Sequence, residues 1–174
     1  PRWNDEISVR TWPMGAEGVR CNRCYQIIKD GEILINGITE WVIIDASTRT
    51  LRKVETTSYP NDIDWIKEKS IEDRFRRFKD DFTEDDFVYK RLIRSGDIDV
   101  THHVNNVTYI TMLLDTFSVN ELESMTLKDI EISYLNESLE GETLSIYRKK
   151  ADDGYYFKIM KDDGKTAVMA YILL

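Results

Sequence analysis

The chain has 174 residues, 41% of them hydrophobic and 11% aromatic, enough for one domain with a real core or two small ones sharing a core, and too apolar for a disordered segment. A net charge of −8 argues against nonspecific nucleic-acid binding, which needs a basic surface. No apolar run approaches the ~18 residues of a membrane helix, and the opening PRWNDEISVRTW has neither a signal-peptide core nor a transit-peptide composition.

That opening reads as already inside a strand. Ile7, Val9 and Thr11 alternate with Ser8 and Arg10, and a turn follows at Gly15 to Gly18. Residues 19–28 form a second predicted strand, and Lys29-Asp30-Gly31-Glu32 turns it into a third over 33–44, since D-G between apolar alternations is a strong hairpin signal. Cys21 and Cys24 are the only cysteines. C-x-x-C can be a redox pair or half a zinc site. Within a strand, however, i and i+3 point to opposite faces, and there is no second pair of ligands. Two buried free thiols in a reducing, cytoplasmic compartment is the reading, with no metal and no cofactor expected.

Past residue 45 the character changes. Arg49, Arg52 and Lys53 end the sheet, and Tyr59-Pro60-Asn61-Asp62 marks a turn. Ile63, Ile66 and Lys67 start a short predicted helix, followed by a charged connection. From 83 onward the order is strand, helix, four strands. The first strand covers 87–93. Asn105 and Asn106 precede Val107, Ile110, Leu113, Leu114 and Phe117, a spacing of three and four that predicts a buried helix with an Asn cap. Predicted strands at 127–135, 143–149, 155–160 and 166–173 follow, the last three joined by Asp152-Asp153-Gly154 and Asp162-Asp163-Gly164 turns. One apolar helix and an antiparallel meander make an α+β unit with the sheet wrapped around the helix. The N-terminal meander has no such helix. Its missing strand and helix are expected upstream of Pro1, and its apolar sheet face should stand uncovered.

The chemistry-bearing segment is Asp99-Val100-Thr101-His102-His103-Val104-Asn105-Asn106. Asp99, Thr101 and His103 sit at i, i+2 and i+4, so an extended chain would place them on one face. The predicted helix starts immediately afterward, and its unpaired amides can hold an anion. An imidazole base, an orienting carboxylate and a helix N-terminus are what thioester hydrolysis needs. The same residue types also serve as ordinary caps, so spacing alone leaves both readings open.

The string D-x-D-V-x-x-H-V-N-N-V-x-Y-I, from Asp97 to Ile110, resembles the catalytic segment of plant-type acyl-ACP thioesterases and their bacterial relatives. So do Thr11-Trp12, Gly31-Glu32, Trp41-Val42 with Arg49, and the stretch from Met125-Thr126-Leu127 to Tyr134-Leu135-Asn136-Glu137. The resemblance implies a tandem double hotdog: a partial N-terminal hotdog at 1–57, a linker at 58–82 and a C-terminal hotdog at 83–174. It also implies Asp99, His103 and Glu137 as catalytic residues, with Thr101 where the family has Asn and Ser138 where plant enzymes have Cys. His103 would activate water, Asp99 and Glu137 would set its charge and the water's position, and amides near Asn105 and Asn106 would receive the oxyanion. Trp12 and Trp41 would lie in the core or line the acyl pocket. The implied partner is an acyl carrier protein bearing a fatty acyl chain, with room for a homodimer. Carrier proteins are acidic, so Arg74, Arg76, Arg77 and Lys79, or Lys90, Arg91 and Arg94, are candidate docking patches unless they only balance nearby carboxylates. An acyl-CoA thioesterase of the hotdog group and a non-catalytic acyl-binding hotdog are the competing readings.

Overall fold

The computed structural model describes residues 1–45, 47–48, 50–60 and 63–174. Arg49 and the Asn61-Asp62 half of the expected turn lie outside them. The chain divides into two compact units, Pro1–Arg74 and Phe75–Leu174.

The first unit is a three-stranded antiparallel sheet of β1 (Ser8–Pro13), β2 (Arg20–Lys29) and β3 (Glu32–Val42), in that order. Asp30 and Gly31 both have positive φ, 52° and 82°, which is the backbone of a two-residue hairpin turn and the reason D-G stands there. One face buries Trp12, which pairs in register with the fully buried Cys24. Cys21 and Cys24 are free thiols. The short helix expected from Ile63 does not form. The chain there is irregular because its polar groups serve the sheet: Glu68 O accepts from Trp12 Nε1 at 2.8 Å, and Ser70 Oγ donates to Gly37 O at 2.6 Å. On the opposite face Val9, Ile27 and Ile35 stand in register, with Val9 and Ile35 exposed, as is Trp41.

The second unit is a five-stranded antiparallel sheet in the order β4-β6-β7-β8-β5, built from β4 (Phe87–Leu92), β5 (Asp129–Tyr134), β6 (Thr143–Lys150), β7 (Gly154–Lys161) and β8 (Thr166–Leu173). Helix α1 (Asn106–Leu114) follows edge strand β4 and precedes β5 at the opposite edge. It buries Tyr109, Met112 and Leu113 in one cluster with Leu144, Ile146, Phe157, Ile159 and Val168. The buried stripe thus differs from the expected one, since Val107 is largely exposed. The helix also ends earlier than predicted. Thr116 and Phe117 amides bond three residues back, and a second helix, α2 (Val119–Ser124), begins. Ser118 and Glu121 form its capping box, a Ser-x-x-Glu signal that was present in the sequence.

A strap precedes β4 and crosses this sheet. Arg76 N and its guanidinium meet Glu131 on β5, and the guanidinium lies 4.0 Å from the Tyr171 ring on β8. Asp80 pairs with Lys158 on β7, and Asp81 with Lys149 on β6. Arg76 therefore balances a carboxylate of its own unit, as Arg91 does with Asp97 at 2.6 Å. Arg77, Lys79, Lys90 and Arg94 remain exposed.

Candidate active site

Two backbone devices place the candidate residues. The first is a tight loop. Ile98 and Val104 pair as a β-bridge, Asp99 N donates to His103 O at 2.9 Å, and His102 N donates to Asp99 O at 3.1 Å. His102 takes φ 64°, the left-handed residue that closes a three-residue hairpin loop. The extended segment expected here is therefore a turn, and Asp99 and His103 face each other because they form its base. Behind it, Asp97 anchors the loop. Its carboxylate accepts from Arg91 Nη2 at 2.6 Å and from Arg94 N at 3.0 Å, and its carbonyl accepts from Asn105 N at 2.8 Å.

The second device is a single backbone bond, Val104 N to Ser138 O at 2.9 Å. It ties the loop to the chain just beyond β5 and sets the preceding residues, His103 and Glu137, side by side. His103 Nε2 lies 3.1 Å from Glu137 Oε2, with the imidazole 30% and the carboxylate 55% exposed. Glu137 stands past the end of β5, outside the strand. Ser138 is fully buried.

On the other side of the ring, Thr101 Oγ1 is 3.2 Å from His103 Nδ1 and 2.6 Å from Asp99 Oδ1. The Thr101 amide donates to the same Asp99 oxygen at 2.8 Å. The Thr101 hydroxyl, then its amide, hold the Asp99 carboxyl below the usual carboxylate range. Asp99, Thr101, His103 and Glu137 thus form one chain of polar contacts. The imidazole lies between two acidic groups, one reached directly and one through a hydroxyl.

Asn105 caps α1, its side chain accepting from Val107 N at 2.9 Å. The Asn105 amide is committed to Asp97 O and the Val107 amide to the cap, so neither can receive an oxyanion. Among the described residues, the Asn106 amide has no acceptor and keeps that capacity. Trp12 and Trp41 belong to the first unit. Trp12 is 3% exposed and part of its core, whereas Trp41 is 57% exposed with its indole N–H on Thr39 Oγ1 at 2.8 Å. Trp41 is therefore not a core residue.

Both parts of the chain match known proteins. Residues 81–172 match the acyl-ACP thioesterase C-terminal domain, and residues 1–60 match the N-terminal domain of the same family. An acyl-[acyl-carrier-protein] hydrolase of Cuphea viscosissima is 29% identical over 92% of this chain and 42% of its own length. A palmitoyl-acyl carrier protein thioesterase of Cuphea hookeriana is 32% identical over 79% of this chain and 34% of its own. The chain thus spans well under half the length of these relatives. Among solved structures, the 12:0-ACP thioesterase of Umbellularia californica superposes with a TM-score of 0.83 at 19% identity, covering 99% of this chain and 69% of that one. An acyl-ACP thioesterase of Bacteroides thetaiotaomicron gives 0.76 at 22%, covering 96% and 68%. These two likenesses show the α+β hotdog fold. With a family model spanning more than half of its residues, the chain belongs to the acyl-ACP thioesterase family.

Proposed function

We propose that this chain hydrolyses fatty acyl thioesters carried on acyl carrier protein, releasing the free fatty acid and the carrier thiol in fatty acid biosynthesis. One observation carries the reading: the His103 ring is held by Asp99 through Thr101 on one side and meets Glu137 on the other. His103 Nε2 and the Glu137 carboxylate lie at direct hydrogen-bonding distance, and a water entering between them separates the pair and donates one hydrogen to each. That water is the nucleophile. Its oxygen attacks the thioester carbonyl as Nε2 takes a proton, and the carbonyl oxygen becomes an oxyanion, for which the Asn106 amide is the available donor. Collapse breaks the carbon–sulfur bond, and the imidazolium returns its proton to the departing thiolate.

The relatives named above are acyl-carrier-protein hydrolases, which favours that carrier as partner. The exposed Arg77, Lys79, Lys90 and Arg94 offer the cations an acidic carrier would meet. The two free thiols suit a reducing, cytoplasmic setting. The exposed apolar face of the first sheet suits a homodimer, which sedimentation would register as twice the chain mass. The test of the function offers the chain acyl-ACP and acyl-CoA of matched chain length and measures fatty acid release. Faster release from acyl-ACP is expected. Release from neither substrate sinks the reading, and preference for acyl-CoA moves the substrate to that thioester.

A further inference from the structure

Glu137 is 55% exposed and stands beyond the end of β5, so burial does little to aim its carboxylate at His103. Its backbone is gripped from another strand. Lys161, the last residue of β7, brings Nζ to 2.8 Å from the Glu137 carbonyl oxygen and to 3.1 Å from Glu142 Oε1. The other Glu142 oxygen accepts from the Leu139 amide at 3.0 Å. One polar chain thus runs from Glu137 O through Lys161 and Glu142 to Leu139 N. It closes around Ser138, whose carbonyl accepts from Val104 N. Glu142 has its own anchor: its carbonyl accepts from Ile93 N at 2.9 Å, and the Gly141 amide donates to Ile93 O at 3.0 Å. Ile93 is fully buried.

An ammonium suits this place. It carries three donors, so it can serve a carbonyl and a carboxylate together, and both bonds are charge-assisted. The Lys161 side chain is only 13% exposed, and Glu142 supplies the countercharge that offsets its desolvation. We propose that Lys161 is a positioning residue: by holding the Glu137 carbonyl, with Glu142 as its anchor, it fixes the backbone from which the Glu137 carboxylate reaches His103. This role deepens the hydrolytic reading and rests on it for its kinetic consequence. Without the ammonium the Glu137 carbonyl loses its donor, and the carboxylate no longer stands where it must hold water. A misplacement of about 1 Å can cost on the order of 10²-fold in rate.

Lys158 provides a matched control, being on the same strand, also 13% exposed and paired with Asp80 rather than with the site. On acyl-ACP, Lys161→Met should lower kcat roughly 10-fold with KM little changed, Lys161→Arg should recover most of the loss, and Lys158→Met should leave kcat as it was. In a Glu137→Gln background, Lys161→Met should cost no more than about twofold, because the residue it positions is already disabled. The chain has only two histidines, so the His103 ring protons can be assigned by NMR with a His103→Gln control. Lys161→Met should move them toward their positions in Glu137→Gln, and Lys158→Met should not. Glu142→Gln, which keeps an acceptor for Leu139, should move them the same way but less, and serves if Lys161→Met does not fold. His103 signals unmoved by Lys161→Met and Glu142→Gln, equal effects of the two lysine variants, or full additivity with Glu137→Gln overturns the role. The ring spectra need no turnover. A chain that shows the expected shifts but hydrolyses neither acyl-ACP nor acyl-CoA would refute the functional reading and leave the placement of Glu137 by Lys161 standing.

Discussion

At the residue scale, the site depends on which atoms are already committed. Glu137 reaches Nε2 and Asp99 reaches Nδ1 only through Thr101, so the two carboxylates have unequal tasks. Glu137→Gln keeps the size of the side chain but removes the charge that orients water. Fatty acid release from acyl-ACP should fall on the order of 10- to 100-fold, and an unchanged kcat would remove Glu137 from the chemistry. Asp97, which the sequence reading quoted only as part of a motif, is nearly buried and holds the loop through Arg91 and the Arg94 amide. Asp97→Ala leaves that guanidinium without its nearest carboxylate and should lower stability by about 2 kcal/mol, read from urea unfolding. A midpoint equal to the parent's would show that the loop does not need this anchor. Asp99, Thr101 and His103 were legible as a group because their spacing and the motif agree. Their geometry was not: an i, i+2, i+4 pattern says nothing about the left-handed turn at His102, and the meeting of His103 with Glu137 depends on the distant Val104–Ser138 bond.

At the element scale, strands were the easiest to read. The D-G turn at Asp30-Gly31 and the alternation on either side of it locate β2 and β3 to within a few residues. Two Asp-Asp-Gly segments looked alike in sequence yet use glycine for different reasons. Gly164 has φ 82° and makes a turn. Gly154 instead begins β7, where an added Cβ would stand 2.0 Å from Ile172 O on β8. Gly154→Ala must therefore push two paired strands apart, and a loss of about 3 kcal/mol is expected in chemical denaturation. A variant as stable as the parent would mean that the strands shift without penalty. Helix limits were harder. The apolar spacing through Phe117 predicted one helix, but the chain breaks after Leu114 and restarts at the Ser118 cap, because a buried Phe117 stacked edge-on against Tyr155 and Phe157 satisfies the same pattern without helical continuity. The helix expected to start at Ile63 does not form, and just beyond it the chain is tied to the sheet instead, through the Glu68 carbonyl to Trp12 and the Ser70 hydroxyl to Gly37.

At the scale of the whole molecule, the α+β plan of the second unit was foreshadowed apart from α2, whereas the strap from Arg76 to Phe82 was not. Its charges read as a solvated connection, yet Arg76, Asp80 and Asp81 pair with successive strands. Such cross-strand partners have no periodic signature. The core also predicts how the chain responds to alkali. Burial pushes Tyr89 up to about 12, its hydroxyl donating to Met112 O, and burial followed by the bond to Asp153 does the same for Tyr171. Unfolded tyrosine releases its proton near pH 10. The folded state therefore binds more protons above that pH, and stability present below about 10 is lost progressively toward about 12. Urea midpoints should fall across that window, less steeply in Tyr89→Phe, while midpoints flat to pH 12 would contradict the buried phenols.

The most direct measurement is the rate of carrier-thiol release from acyl-ACP by the parent chain and by His103→Ala, with matching circular dichroism to show that both are folded. The account predicts turnover by the parent and a loss on the order of 10²–10⁴-fold in the variant. Equal rates in the two, or a folded parent that releases no thiol, would contradict it.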